Sequence, residues 1–245
     1  MTDLDLVVDA HCHIEPGSTS VEELLSAMDN LGIRKAVICP ADRYIAVLNR
    51  EGNEYILKAV HEHPNRFIGF ATVNPWFGRQ AVKELKRFHD MGLRGLKINS
   101  FLQGFLLNDE LVHPLVETCE KLRMPIYFHT GTPISAMPFQ LADLARKFPN
   151  VSFIMGHMGY SDFWYDAVPA AKRSENIYLE TSHMWVDLIR ESVKKVGADR
   201  VLFGSDFPKS ELSLELEKVK RYLDVSDEER GMILGRNLLK LIDEH

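Results

Sequence analysis

Leu6-Val7-Val8-Asp9-Ala10-His11-Cys12-His13 is a short apolar run that ends in His-x-His. Residues two apart on a strand project to the same side. A strand over 6–13 therefore delivers His11 and His13 together, which is how two imidazoles reach one metal ion. Taken alone, the pair also suits two solvent-facing histidines. The rest of the chain decides between these readings. Seven further apolar, β-branched or aromatic runs follow, at 35–40, 67–74, 93–99, 125–131, 151–158, 177–183 and 200–208. Most are continuously apolar, as expected for parallel strands covered on both faces.

Helix-length amphipathic segments fill the intervals. One covers 21–31 after Ser20, with Glu23 completing a capping box. Others cover 54–63, 79–91 before Gly92, 110–122 after Asn108, and 139–148 after Pro138. The segment 162–174 contains Pro169, which predicts a kink or split there. Segments 186–196 and 212–223 follow, and Ser226 opens a last helix that runs to about residue 242. Eight strand–helix units with short connections give an α/β fold, a (β/α)8 TIM barrel forming one compact domain over residues 1–245. The alternative, an open doubly wound sheet, lacks a Gly-x-Gly-x-x-Gly turn after its first strand.

Bulk properties narrow the function. Hydrophobic residues make up 45%, charged residues 26%, and the net charge is -6. No basic run stands out, which argues against nucleic acid as a partner. No apolar stretch of about 18 residues could span a bilayer. Met1-Thr2-Asp3-Leu4-Asp5 lacks a basic leader region and runs straight into the first strand. Cys12, Cys39 and Cys119 are scattered and odd in number, which suggests neither a disulfide framework nor a Cys-x-x-Cys metal knuckle. The expectation is a cytoplasmic protein with a small-molecule substrate and no membrane partner; a homo-oligomer stays open.

In such a barrel, chemistry sits where the strands end. Strand one ends in His11 and His13, strand four in Lys97 and Asn99, strand five in His129, and strand six in His157. Strand seven contributes Glu180, Ser182 and His183, and strand eight contributes Asp206. Five of the ten histidines lie at strand ends. Imidazoles with one carboxylate suit a borderline ion such as Zn²⁺, holding a water whose pKa falls toward neutrality. His61 and His63 also form His-x-His, but at a helix end, where residues two apart diverge.

Four pieces occur in order along nearly the whole chain: Asp9-Ala10-His11-Cys12-His13, Phe128-His129-Thr130-Gly131, Gly156-His157-Met158-Gly159 and Phe203-Gly204-Ser205-Asp206-Phe207-Pro208. With them the chain resembles the amidohydrolase superfamily, in its amidohydrolase-related branch. That branch includes metal-dependent hydrolases and decarboxylases similar to aminocarboxymuconate-semialdehyde decarboxylase. The resemblance implies one divalent ion, Zn²⁺ with Mn²⁺ or Fe²⁺ as alternatives, held by His11, His13, His129 and Asp206. His157 would then act beside it as acid, base or electrostatic stabiliser. A two-ion site would instead use a carboxylated Lys97 as a bridge. Among substrate contacts, Lys97, Arg43, Trp76 and His183 are the candidates, and Phe101–Leu107 reads as a lid or an oligomer contact.

The leading expectation is a hydrolase of an ester, lactone or amide, with Asp206 shuttling the proton and the substrate small and, in one version, carboxylate-bearing. The alternative is a non-oxidative decarboxylase using the same ligands. A third reading is a catalytically silent barrel that serves as a binding protein.

Overall fold

A computed structural model describes residues 6–243. Residues 1–5 and 244–245, read above from the sequence, lie outside the described residues. The strands are β1 (Val7–His13), β2 (Ile33–Cys39), β3 (Phe67–Ala71), β4 (Gly95–Ile98), β5 (Ile126–His129), β6 (Phe153–Gly156), β7 (Ile177–Glu180) and β8 (Val201–Leu202). They form a parallel sheet in the order β1-β2-β3-β4-β5-β6-β7-β8. Backbone bonds join the two ends of the sheet, from Ala10 N to Phe203 O at 2.9 Å, His13 N to Phe207 O at 2.7 Å and Asp206 N to His11 O at 2.8 Å. The result is the expected (β/α)8 barrel.

The helices are α1 (Val21–Leu31), α2 (Asp42–Ala46), α3 (Asn49–Glu62), α4 (Arg79–Asp90), α5 (Ser100–Gln103), α6 (His113–Leu122), α7 (Pro138–Lys147), α8 (Tyr160–Ala171), α9 (Val186–Val196), α10 (Leu212–Glu217), α11 (Asp227–Gly231) and α12 (Asn237–Asp243). Ser20 caps α1 with the expected box, its hydroxyl accepting from Glu23 N at 3.1 Å while Glu23 accepts from Ser20 N at 2.7 Å. The break expected at Pro169 falls instead at Phe163, whose backbone leaves the helical region, and Pro169 is carried inside α8.

The layer between strands and helices is a continuous apolar core that includes Leu24, Met28, Ile56, Leu85, Phe88, Val116, Leu141, Ile189 and Val219. Burying each such side chain contributes about 1.5–3 kcal/mol. A smaller cluster of Val8, Ala10, Val37, Cys39, Phe70, Tyr127, Ile154 and Leu202 fills the barrel, with Leu238 and Leu241 of α12 joining it. Lys97 is buried in register with Tyr127, yet it belongs to neither cluster.

The strands stop short of the sequence expectation at the functional end. β8 ends at Leu202 rather than residue 208, and β7 at Glu180 rather than 183. The residues beyond leave the ladder through left-handed backbone, with φ of 61° at His157, 62° at His183 and 57° at Asp206. Non-glycine residues held there cost about 1–3 kcal/mol each, and such positions cluster at working sites. Among the described residues, no helix is long and apolar enough to cross a membrane.

Candidate metal centre

The register of β1 on β2 shifts between Asp9 and Cys12, a local irregularity of the kind that re-aims side chains. Beyond the shift, His13 faces the central cavity. His13 Nδ1 lies 2.7 Å from Pro40 O. A carbonyl can only accept, so Nδ1 carries the proton and Nε2 of the neutral ring is left with a lone pair. That Nε2 lies 3.3 Å from Asp206 Oδ1. His11 Nε2 lies 3.1 Å from the same oxygen and 3.1 Å from Lys97 Nζ. Asp206 Oδ1 is buried and makes no hydrogen bond. Two imidazole nitrogens and one carboxylate oxygen therefore converge, and that oxygen has no hydrogen-bond donor. A divalent cation satisfies all three, so the donor set fits a metal ion.

Burial keeps His11 neutral, holding its pKa well below the ordinary histidine value, and the Lys97 ammonium adds to this. Burial also lowers His157 well below that value and takes His129 down to about 3. Burial opposes the charge on Asp206, but His157, His11 and His13 around it hold the carboxyl well below its usual range. At His13, burial is outweighed by the neighbouring Cys39 thiol and Asp206, which raise it to about 9. A proton and a metal ion thus compete for the same nitrogen. Lys97 is brought down by burial to about 8.

The opposite wall is built differently. Glu180, fully buried, accepts from Tyr127 Oη at 2.6 Å, Ser182 N at 2.6 Å, Ser182 Oγ at 2.9 Å and His157 N at 3.1 Å. Gly204 has no side chain because Glu180 occupies the space its Cβ would need. Since the Ser182 hydroxyl donates to Glu180, it accepts from His157 Nδ1 at 2.7 Å. His157 therefore presents an Nε2 lone pair, not a proton, on its other side. His183 Nε2 lies 2.9 Å from Asp206 Oδ2 and donates to it. Burial opposes charge on His183, yet this carboxylate raises its pKa.

One donor atom from each of His11, His157 and Asp206 lies within 4.8 Å of the others, and so do donors from His11, His13 and Cys39. His129 joins neither group; its Nε2 pairs with Thr132 Oγ1 at 2.9 Å, and its ring lies 4.9 Å from that of His157. A cavity of about 280 Å³ at the strand ends is lined by His13, Lys97, Asn99, His129, His157, His183, Asp206 and Lys209, among others. Two expected substrate contacts do not line it. Arg43 is exposed, and its guanidinium turns back to donate to Tyr44 Oη at 2.9 Å. Trp76 is 61% exposed and donates from Nε1 to Gln103 O at 3.0 Å, lining a separate outer groove with Phe101. His61 bonds Met91 O at 3.1 Å, and His63 packs on Phe67.

Sequence reasoning passed over Cys39, Tyr127, Thr132 and Lys209. Cys39 stands at the end of β2, so the strand-end inspection that found the histidines also applies to it. Lys209 stands in the loop that follows Asp206. Tyr127 offers no signal, because an inward tyrosine in an apolar run reads as core.

The amidohydrolase family profile matches residues 8–242. The chain belongs to the amidohydrolase family. Two curated amidohydrolase relatives carry decarboxylase names. One is the gamma-resorcylate decarboxylase of Polaromonas sp., 26% identical over 243 residues, covering 74% of each chain. The other is the 2-amino-3-carboxymuconate-6-semialdehyde decarboxylase of Dictyostelium discoideum, 26% identical over 237 residues, covering 78% of this chain and 65% of that protein. Similar solved structures include the 5-carboxyvanillate decarboxylase of Sphingomonas paucimobilis, with TM-score 0.80, 16% identity and coverage of 97% of this chain and 99% of that one. Also similar is a dihydroxybenzoic acid decarboxylase of Polaromonas sp. JS666 with bound manganese and 2-nitroresorcinol, with TM-score 0.79, 18% identity and 97% coverage of both chains. These likenesses bear out the resemblance and correct the leading expectation of hydrolysis. The decarboxylase names of the relatives overturn it.

Proposed function

We propose that this amidohydrolase is a metal-dependent, non-oxidative decarboxylase of a small carboxylic acid of the aromatic or unsaturated type. The observation that carries the reading is the pair of decarboxylase relatives at 26% identity, joined to the Nε2 atoms of His11 and His13 meeting Asp206 Oδ1, which has no hydrogen-bond donor. His11, His13, His129 and Asp206 would hold the ion, with His129 giving up its Thr132 contact to do so. The donors suit Zn²⁺, and Mn²⁺, present in the dihydroxybenzoic acid decarboxylase structure, is the alternative.

A bound divalent ion supplies Lewis-acid polarisation and a template for the substrate's oxygens. The chain's own groups supply the rest. The C–C bond to the carboxylate breaks, its electron pair stays on the organic carbon, and CO₂ departs. One proton must then reach that carbon. His183, holding a proton against Asp206 Oδ2, is the donor. Of the roles open to His157, acid, base or electrostatic stabiliser, its contact to Ser182 with the lone pair inward favours an acceptor that orients the substrate. Lys97 offers a cation to the developing negative charge.

A coupled CO₂ assay on metal-loaded protein with a panel of hydroxybenzoic acids tests the reading. CO₂ release that disappears in Asp206→Asn is the expected result. Ester or lactone hydrolysis, with no CO₂ from any acid, would overturn it. Metal analysis of the same preparation distinguishes Zn²⁺ from Mn²⁺.

A further inference from the structure

We infer that Lys209 is a recognition site for a second acidic group, so that the preferred substrates are small diacids: one carboxylate is lost at the metal centre while the other rests on the rim. The inference rests on the decarboxylase reading for the fate of the first carboxylate.

Lys209 sits in the loop after β8, its backbone N donating to Asp206 O at 2.8 Å. This bond fixes it to the same turn that aims Asp206. Its side chain lines the central cavity together with Lys97 and His183. From there the ammonium reaches across the mouth to Asp42 Oδ1, 2.9 Å away at the start of α2. The two side chains are 43% and 63% exposed. A pair so open to water is worth only about 0–1 kcal/mol, so an incoming anion displaces Asp42 at little cost.

The charge balance of the cavity points the same way. Its lining carries two ammonium groups, Lys97 and Lys209, against the single carboxylate of Asp206. With a divalent ion added, one substrate carboxylate leaves the cavity strongly positive. A second anionic group reduces that excess and meets the cation at the entrance. Arg43, the cation expected from sequence to clamp a carboxylate, faces away and cannot substitute.

Calorimetry on the metal-loaded protein with isophthalate and benzoate tests this, since the two differ by one carboxylate. Wild type binds isophthalate at least about tenfold more tightly, which is 1.4 kcal/mol. Lys209→Met brings the two within about twofold of each other. Asp42→Asn keeps or widens the preference. That contrast separates recognition from a merely structural salt bridge, which both substitutions would break alike. A wild type with no preference, or a Lys209→Met protein that retains it, overturns the inference. So does a preference lost equally in Asp42→Asn. If the preference depends on Lys209 but no mono- or diacid releases CO₂, the decarboxylase reading fails and the anion subsite stands.

Discussion

The two halves of the site are held in different ways. On the β1–β8 side, backbone does the work. Asp9 Oδ1 accepts from His11 N at 2.9 Å and from Ser205 N at 3.0 Å, so one buried carboxylate ties both ligand-bearing segments together. On the β5 side, the His129 ring makes one hydrogen bond, to Thr132 three residues away, and an edge contact with His157. The first half brings two imidazole nitrogens within 3.1 and 3.3 Å of Asp206 Oδ1, whereas His129 is engaged with Thr132 instead. Preorganisation here follows the number of backbone ties, not the identity of the ligand.

The largest expected effect is on the ready half. Asp206→Asn keeps the shape and removes the charge that the imidazoles face. Metal affinity should fall at least about 100-fold, measured by competition with a chelator. His129→Ala should weaken it less. Equal loss in the two variants would break the contrast between the halves. Next comes Asp9→Ala, which leaves two buried N–H groups without an acceptor and should cost about 2–5 kcal/mol in denaturant unfolding. A cost under about 1 kcal/mol would mean that the seam is held elsewhere. Ser182→Ala frees His157 Nδ1 and should lower kcat about tenfold with metal content unchanged, as loss of an orienting partner does. The smallest effect is at Arg43→Ala, which should keep kcat/KM within about twofold. A larger drop would restore Arg43 as a substrate contact.

Much of the architecture could be read from sequence because the apolar runs are long and regularly spaced, and caps such as Ser20 with Glu23 mark helix starts unambiguously. The strand ends were overextended for a physical reason. The runs 177–183 and 200–208 begin as apolar strands, yet tertiary contacts hold His183 and Asp206 near their ends in left-handed backbone that no local propensity encodes. The histidines were legible because imidazoles are rare inside apolar strands. Arg43 misled because a cation after a strand looks the same whether it turns inward or lies over Tyr44, 4.9 Å from its ring centroid. The roles of His157 and His183 depend on which nitrogen holds a proton, and that follows from Ser182 and Asp206, which become neighbours only on folding.

Tyr127 lies stacked under His11 at 4.1 Å between ring centroids, with Lys97 Nζ 3.9 Å above its ring and its hydroxyl on Glu180. Its ring fills the space that a side chain at Gly156 would take. This solid floor makes the chamber a blind alley. Under the decarboxylase reading, CO₂ and the remaining product would leave by the same strand-end mouth through which the acid enters.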